Sequence, residues 1–200
     1  MADLETFVKV RKQPRGTVQT FSTERAADTI DREIITEDVA TILLRYERGG
    51  RGLVAISQMS PGRKNSLQYQ IDGSTGAVAW GSENPDELWI GRRDEPNQVL
   101  LRNPALMHPA GIAASSLPGG HVEGFADTFK SHFRTIYRHI AAGVVPARPD
   151  YQTFADGHEQ ILIGDAVAQS ASTARWVEVA REHVEQAMTD VLIATERRSR

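Results

Sequence analysis

The chain has 200 residues, 40% of them hydrophobic and 24% charged, a composition that fits a folded globular protein and argues against disordered or collagen-like sequence. With 23 Lys and Arg against 26 Asp and Glu, its formal net charge of -3 offers no positive field to a nucleic-acid backbone, so no nucleic-acid partner is expected. The lack of cysteine excludes disulfides, thiolate metal sites and a cysteine nucleophile, and the acidic start Met1-Ala2-Asp3-Leu4-Glu5, with no apolar run of about 20 residues, leads to the expectation of a cytoplasmic protein without a membrane span.

Short β-branched and aromatic runs separated by turn residues predict strands through the first half of the chain. In order they are Leu4 to Lys12, Val39 to Glu47, Leu53 to Met59, Leu67 to Ile71, Ala77 to Trp80, Glu87 to Gly91 and Gln98 to Leu101. Arg48-Gly49-Gly50-Arg51 and Asp72-Gly73-Ser74-Thr75-Gly76 supply glycine where a tight turn needs positive φ, so the strands they join are expected to form hairpins. Asn103 to Gly120 is rich in Pro, Gly, Ala and Ser, and connections of that length are usually functional or mobile. Phe125, Phe129, Phe133, Ile136, Tyr137 and Ile140 then recur at helical spacing, with Gly143 placed to end the helix. A second helix is predicted from near Thr153 through Val167, opened by Thr153-Phe154-Ala155-Asp156, and Trp176 to Val179 reads as a short closing strand. Beyond it, Val184, Ala187, Met188, Val191 and Leu192 predict an appended amphipathic helix over 180–200. Strands first and helices afterwards give an α+β fold, with an open, mostly antiparallel sheet and helices packed on one face.

The chain contains no Gly-x-Gly-x-x-Gly, P-loop, Gly-x-Ser-x-Gly or His-Glu-x-x-His motif; His158-Glu159 is followed by Leu162 where a second His would stand. Two segments remain as site candidates. Arg63, Lys64 and Asn65 lie between two predicted strands, where cations either bind a carboxylate or phosphate or simply face solvent. His121 and Glu123 follow the Gly119-Gly120 pair just ahead of the Phe125 helix. A His and a carboxylate two residues apart suit proton transfer or hydroxyl binding; the plainer alternative is that Glu123 complements the helix dipole and His121 caps the helix. His132 and His139 share a helix face but have no third ligand in view, so no metal site is expected.

Taken together, Ser57-Gln58, Gly62-Arg63-Lys64-Asn65, Ile71-Asp72-Gly73-Ser74-Thr75-Gly76, Glu87-Leu88-Trp89-Ile90-Gly91, Pro118-Gly119-Gly120-His121-Val122-Glu123-Gly124-Phe125, Phe154-Ala155-Asp156-Gly157-His158 and Arg175-Trp176-Val177-Glu178-Val179 resemble the C-terminal domain of the Gfo/Idh/MocA oxidoreductases. The likeness runs over nearly everything from Asp3 to Val179. It implies a dihydrodipicolinate-reductase-like α+β domain over 1–179 that shapes the substrate site and usually mediates oligomerisation, while a Rossmann domain holds NAD or NADP. It also implies a sugar, inositol or related polyol as substrate. The family's Glu-Lys-Pro lysine and its Asp-x-x-x-His helix have no counterpart here, so the resemblance carries over no catalytic or cofactor-binding residue. The substrate-binding candidates are Arg63, Lys64, Asn65, His121 and Glu123, expected to converge at the edge of the sheet.

The functional expectation is the substrate-binding and dimerisation portion of an NAD(P)-dependent oxidoreductase, with no cofactor held by this chain and no activity alone. Its expected partners are a small polyol or sugar, a second copy bound through the sheet face, and a separate Rossmann-domain chain. Two alternatives stand beside it: a non-catalytic binding or assembly module, and a cofactor-free lyase or isomerase using His121 and Glu123 as acid and base.

Overall fold

The computed structural model describes residues 1–17, 19, 28–144 and 146–180; apart from Ala180, the helix expected over 180–200 lies outside them. The strands are β1 (Ala2–Glu5), β2 (Val10–Pro14), β3 (Thr29–Glu33), β4 (Val39–Arg45), β5 (Arg51–Ser57), β6 (Gln68–Asp72), β7 (Gly76–Gly81), β8 (Glu87–Arg92) and β9 (Gln98–Leu101). The helices are α1 (Pro109–Ala114), α2 (Phe125–Ala142) and α3 (Phe154–Thr173), with a single 3-10 turn at Pro104–Leu106. The chain divides into two compact units, Met1–Pro61 with Phe154 onward, and Gly62–Thr153. The α+β class holds and the paired strands are antiparallel; among the described residues they are distributed over three sheets, ordered β1-β4-β5, β2-β3 and β6-β7-β8-β9.

In the first unit, β4 and β5 form the expected hairpin, closed by Tyr46 donating to the Gly50 carbonyl at 3.0 Å with Gly49 at a φ of 93°. Register places Ala2, Leu4, Ala40 and Ile42 on one face of the sheet. Ala2 and Ala40 are buried there, and α3 lies along β1. Ser170 on α3 joins the two: its hydroxyl accepts from the Ala2 amide at 2.9 Å and donates to the Arg175 carbonyl at 2.6 Å. The expected closing strand at Trp176 is not formed. Residues 176–180 run without a strand partner, and the Arg45 guanidinium lies 3.8 Å from the Trp176 ring centroid, so a cation-π contact does the anchoring that pairing was expected to do.

The single strand expected from Leu4 to Lys12 is broken into β1 and β2, and the cause is Asp38. Its buried carboxylate accepts from the Val8 amide at 2.8 Å and from Arg11 Nη2 at 2.6 Å, turning the Thr6–Lys9 stretch away from the β1 ladder. The released strand β2 pairs with β3, which sequence reading missed because Thr-Ile-Asp-Arg-Glu carries one apolar side chain and no alternation.

In the second unit, β6 to β9 form a meander whose register gathers Tyr69, Ile71, Val78, Trp80, Leu88 and Ile90 on one face. The Tyr69 and Trp80 rings sit 5.5 Å apart across the β6–β7 pair. Glycine is required at the start of β7, where a Cβ on Gly76 would stand 2.8 Å from the Gly91 carbonyl oxygen. Helix α2 begins where Asp127 accepts from the Gly124 amide at 2.9 Å and ends, as its spacing predicts, at Gly143 in the left-handed region with φ 66°. Its Phe125, Phe129, Phe133, Tyr137 and Ile140 stripe is at least half exposed at each position.

Two outcomes follow. The Val8 amide and the Arg11 guanidinium outweigh burial and hold the Asp38 carboxyl below the usual carboxylate range. A group with a depressed folded pKa stabilises fully above its unfolded value and loses that contribution as pH falls through the folded one. Urea midpoints at about pH 7 and about pH 3 should therefore differ more for the parent chain than for Asp38→Asn, whose loss falls mainly at neutral pH. Gly76→Ala should cost about 1–3 kcal/mol, because backbone and not a mobile side chain opposes the new methyl. Gly81→Ala, whose Cβ would meet the Gln68 side chain at an ordinary 3.6 Å, should cost little; thermal melts of the two variants check the difference.

Candidate functional site

The turn between β7 and β8, residues 82–86, lies at the end of the sheet where β6 begins and β9 finishes. It is held in shape by the Trp80 indole N–H, which donates to the Pro85 carbonyl at 3.0 Å. One candidate segment bonds to it directly and the other is linked to it through Arg102. On one side, the Ser82 hydroxyl accepts from the Leu67 amide at 2.9 Å and donates to the Asn65 carbonyl at 3.3 Å, while Glu83 is ion-paired with Arg63. On the other, Arg102 donates its backbone N–H to the Asp86 carbonyl at 2.8 Å and its Nε to Asp86 Oδ1 at 3.0 Å.

Arg102, at the foot of β9, carries the second segment. Its side chain is 10% exposed, and its Nη1 donates to the Leu117 carbonyl at 3.0 Å and stands 3.5 Å from Glu123 Oε2. Its Nη2 donates to the carbonyls of Pro118, at 3.3 Å, and His121. Glu123, 12% exposed, uses its other oxygen to accept from the Ser116 amide at 2.5 Å and the Leu117 amide at 2.6 Å. Arg134 on α2 adds a further tie, donating to the Ala113 carbonyl at 2.7 Å and the Ser116 hydroxyl at 3.4 Å. The connection expected to be long and unstructured thus contains the 3-10 turn and α1, and is fastened at several points to charged side chains.

The sequence-predicted residues are consequently placed as follows. Arg63, Lys64 and Asn65 sit exposed on the connection leading into β6, and His121 sits exposed on the turn leading into α2. The first segment bonds to the β7–β8 turn directly and the second reaches it through Arg102; Arg63 is engaged by Glu83, and Glu123 by Arg102 and two amides. The N-cap of α2 is Gly124, whose amide is bonded by the Asp127 carboxylate three residues into the helix. Sequence reading passed over Ser82, Asp86 and Arg102, since an arginine one residue past a strand and a carboxylate in a turn carry no pattern of their own. His139 Nδ1 lies 3.4 Å from the Tyr151 hydroxyl, and among the described residues no group of three His, Cys, Asp or Glu side chains is gathered to hold a metal. No helix among them is long and apolar enough to cross a membrane.

A Rossmann-type dinucleotide site needs a glycine-rich strand-to-helix turn in a parallel sheet, where helix N–H groups meet the pyrophosphate. The strand pairs among the described residues are antiparallel and the chain has no Gly-x-Gly-x-x-Gly, so these residues do not form a site of that type.

Residues 9–179 match the C-terminal alpha/beta domain of the Gfo/Idh/MocA oxidoreductase family. The chain belongs to this family. It is 26% identical over 185 residues to levoglucosan dehydrogenase of Pseudarthrobacter phenanthrenivorans, covering 89% of this chain and 45% of that enzyme. Among solved structures, an oxidoreductase from Sinorhizobium meliloti superposes with a TM-score of 0.71 at 26% identity, covering 88% of this chain and 45% of that one. An inositol dehydrogenase homologue from Azotobacter vinelandii, complexed with NAD+, shares the fold with a TM-score of 0.66 at 24% identity over 86% of this chain and 40% of its own. The chain therefore spans less than half the length of these family members.

The two cation sites should separate clearly in urea unfolding followed by tryptophan fluorescence. Arg102→Ala leaves the part-buried Asp86 carboxylate and three carbonyls without the guanidinium and strips Glu123 of its ion pair, and should cost about 2–4 kcal/mol. Arg63→Ala removes a pair whose side chains are 57% and 43% exposed and should cost no more than about 1 kcal/mol.

Proposed function

We propose that these residues form the substrate-side and oligomerisation portion of an NAD(P)-dependent oxidoreductase acting on a hydroxyl of a sugar, inositol or related polyol. The observation that supports this reading is that the Arg63–Asn65 segment bonds to the turn at one end of a sheet and the His121 segment is tied to that same turn through Arg102, in a chain that belongs to this oxidoreductase family. Exposed polar groups held on a rigid scaffold suit a polyol, whose hydroxyls must each regain the hydrogen bonds they give up to water. On this reading Arg63, Lys64, Asn65 and His121 face the substrate, and Glu123 holds the loop that carries His121. The nicotinamide, when bound, accepts or supplies the hydride; it is held by a Rossmann domain outside these residues, in the same assembly. The lyase or isomerase alternative is disfavoured because both Glu123 oxygens are already engaged, leaving no free carboxylate beside His121 to act as base.

The reading includes a homo-oligomer formed through a sheet face. It is supported by the three-stranded sheet, where the face opposite Ala2 and Ala40 carries Leu43 and Leu53, the latter 65% exposed.

Three measurements check the proposal. Amide spectra titrated with levoglucosan and with myo-inositol should shift at residues 62–66 and 119–122; shifts confined elsewhere would overturn it. Calorimetry of the 200-residue chain with NADH and NADPH should show no saturable binding at about micromolar affinity. Light scattering at about tens of micromolar should give twice the chain mass, and a monomer would remove the sheet-face interface from the reading.

A further inference from the structure

We infer that Arg102 is a positioning residue: by gripping the Leu117, Pro118 and His121 carbonyls and pairing with Glu123, it fixes the turn that presents the His121 ring. Glu123 then contributes to the site through Arg102 and not by touching substrate. The geometric claim stands on its own, while its consequence for binding rests on the reading of His121 given above.

Pro118-Gly119-Gly120-His121 has little intrinsic preference for one shape. Gly120 adopts a φ of 84°, a Cβ there would meet nothing within 4 Å, and the backbone bond spanning the turn, His121 N–H to the Pro118 carbonyl, is a long 3.3 Å. Three carbonyls of this short stretch point at one place, an arrangement that repels itself unless a cation sits at the focus. A guanidinium suits that focus because its five N–H groups lie in a fixed planar fork. Here Nε is spent on Asp86, Nη1 on Leu117 and Glu123, and Nη2 on Pro118 and His121. The amides on the other flank, Ser116 and Leu117, end on Glu123, so the donors and acceptors of the loop are tied off at one ion pair. A lysine ammonium keeps the charge but, as a single point with three donors, cannot reach both carboxylates and all three carbonyls.

The test uses the isotopically labelled 200-residue chain. In Arg102→Lys, amide exchange over Leu117 to His121 should rise by about tenfold or more and the His121 ring cross-peak should move, while β7 and β8 amides stay as they are. Arg134→Lys releases only Ala113 and Ser116 and should leave the His121 ring signal in place. An unmoved His121 signal in Arg102→Lys, or an equal displacement in Arg134→Lys, overturns the inference. Should Arg102→Lys fail to fold, Arg102→Gln carries the same expectations, since its single amide likewise cannot bond all three carbonyls at once. Titrating His121→Ala with levoglucosan and myo-inositol separates the two claims: unchanged shifts at 62–66 would remove His121 from the substrate site while leaving the exchange result for Arg102 intact.

Discussion

A single guanidinium, that of Arg102, sets the conditions for the rest of the second unit. Enclosing an arginine is costly unless its charge and its donors are all answered, and here two carboxylates and three carbonyls answer them. Because those partners come from the β7–β8 turn and from the approach to α2, satisfying the side chain also fixes two backbone segments that sequence separates widely. The ordering of the 103–124 connection follows from this requirement more than from any propensity of its Pro-, Gly- and Ala-rich sequence.

The same turn uses charge in two ways. Glu83 meets Arg63 in the open, where water screens the pair and either partner can be drawn to something else. Asp86 meets Arg102 in a nearly closed setting, where the pair is harder to exchange. One end of a four-stranded meander thus carries an adaptable cation on one flank and a fixed loop on the other. The close approach of β7 to β8 at Gly76 and Gly91 helps keep the strands that bear both in register.

Membership of the oxidoreductase family gives this arrangement its setting. Hydride chemistry belongs to the nicotinamide, and the residues described here do not form a Rossmann-type site; on the proposed reading their part is to bind and orient hydroxyls against a cofactor held elsewhere. The first unit follows the same physical habit with different groups. The Asp38 carboxylate and the Ser170 hydroxyl each gather backbone groups from distant segments, one parting β1 from β2 and the other joining α3 to the first strand.

The order of residues along the chain specifies whatever depends on near neighbours. The β4–β5 hairpin follows from Gly49-Gly50, the meander from strand-like runs punctuated by Asp72-Gly73 and Gly76, and α2 from aromatic residues at helical spacing ended by Gly143. The motifs that carry the family resemblance were legible for the same reason, and they marked the Arg63–Asn65 and His121–Glu123 segments. Where β1 stops is set by the folded chain, since the carboxylate responsible lies thirty residues from the Val8 amide it accepts from. The folded chain alone showed that Trp176 is anchored by Arg45 and not by a strand. It likewise decided that Glu123 turns inward to Arg102 while His121 stays exposed, a distinction invisible in a motif that sets them two residues apart. Periodicity and turn chemistry are local and leave a trace in order and spacing. Hydrogen bonds and enclosed ion pairs act over a few ångströms between groups that only the folded chain brings together, and so leave none.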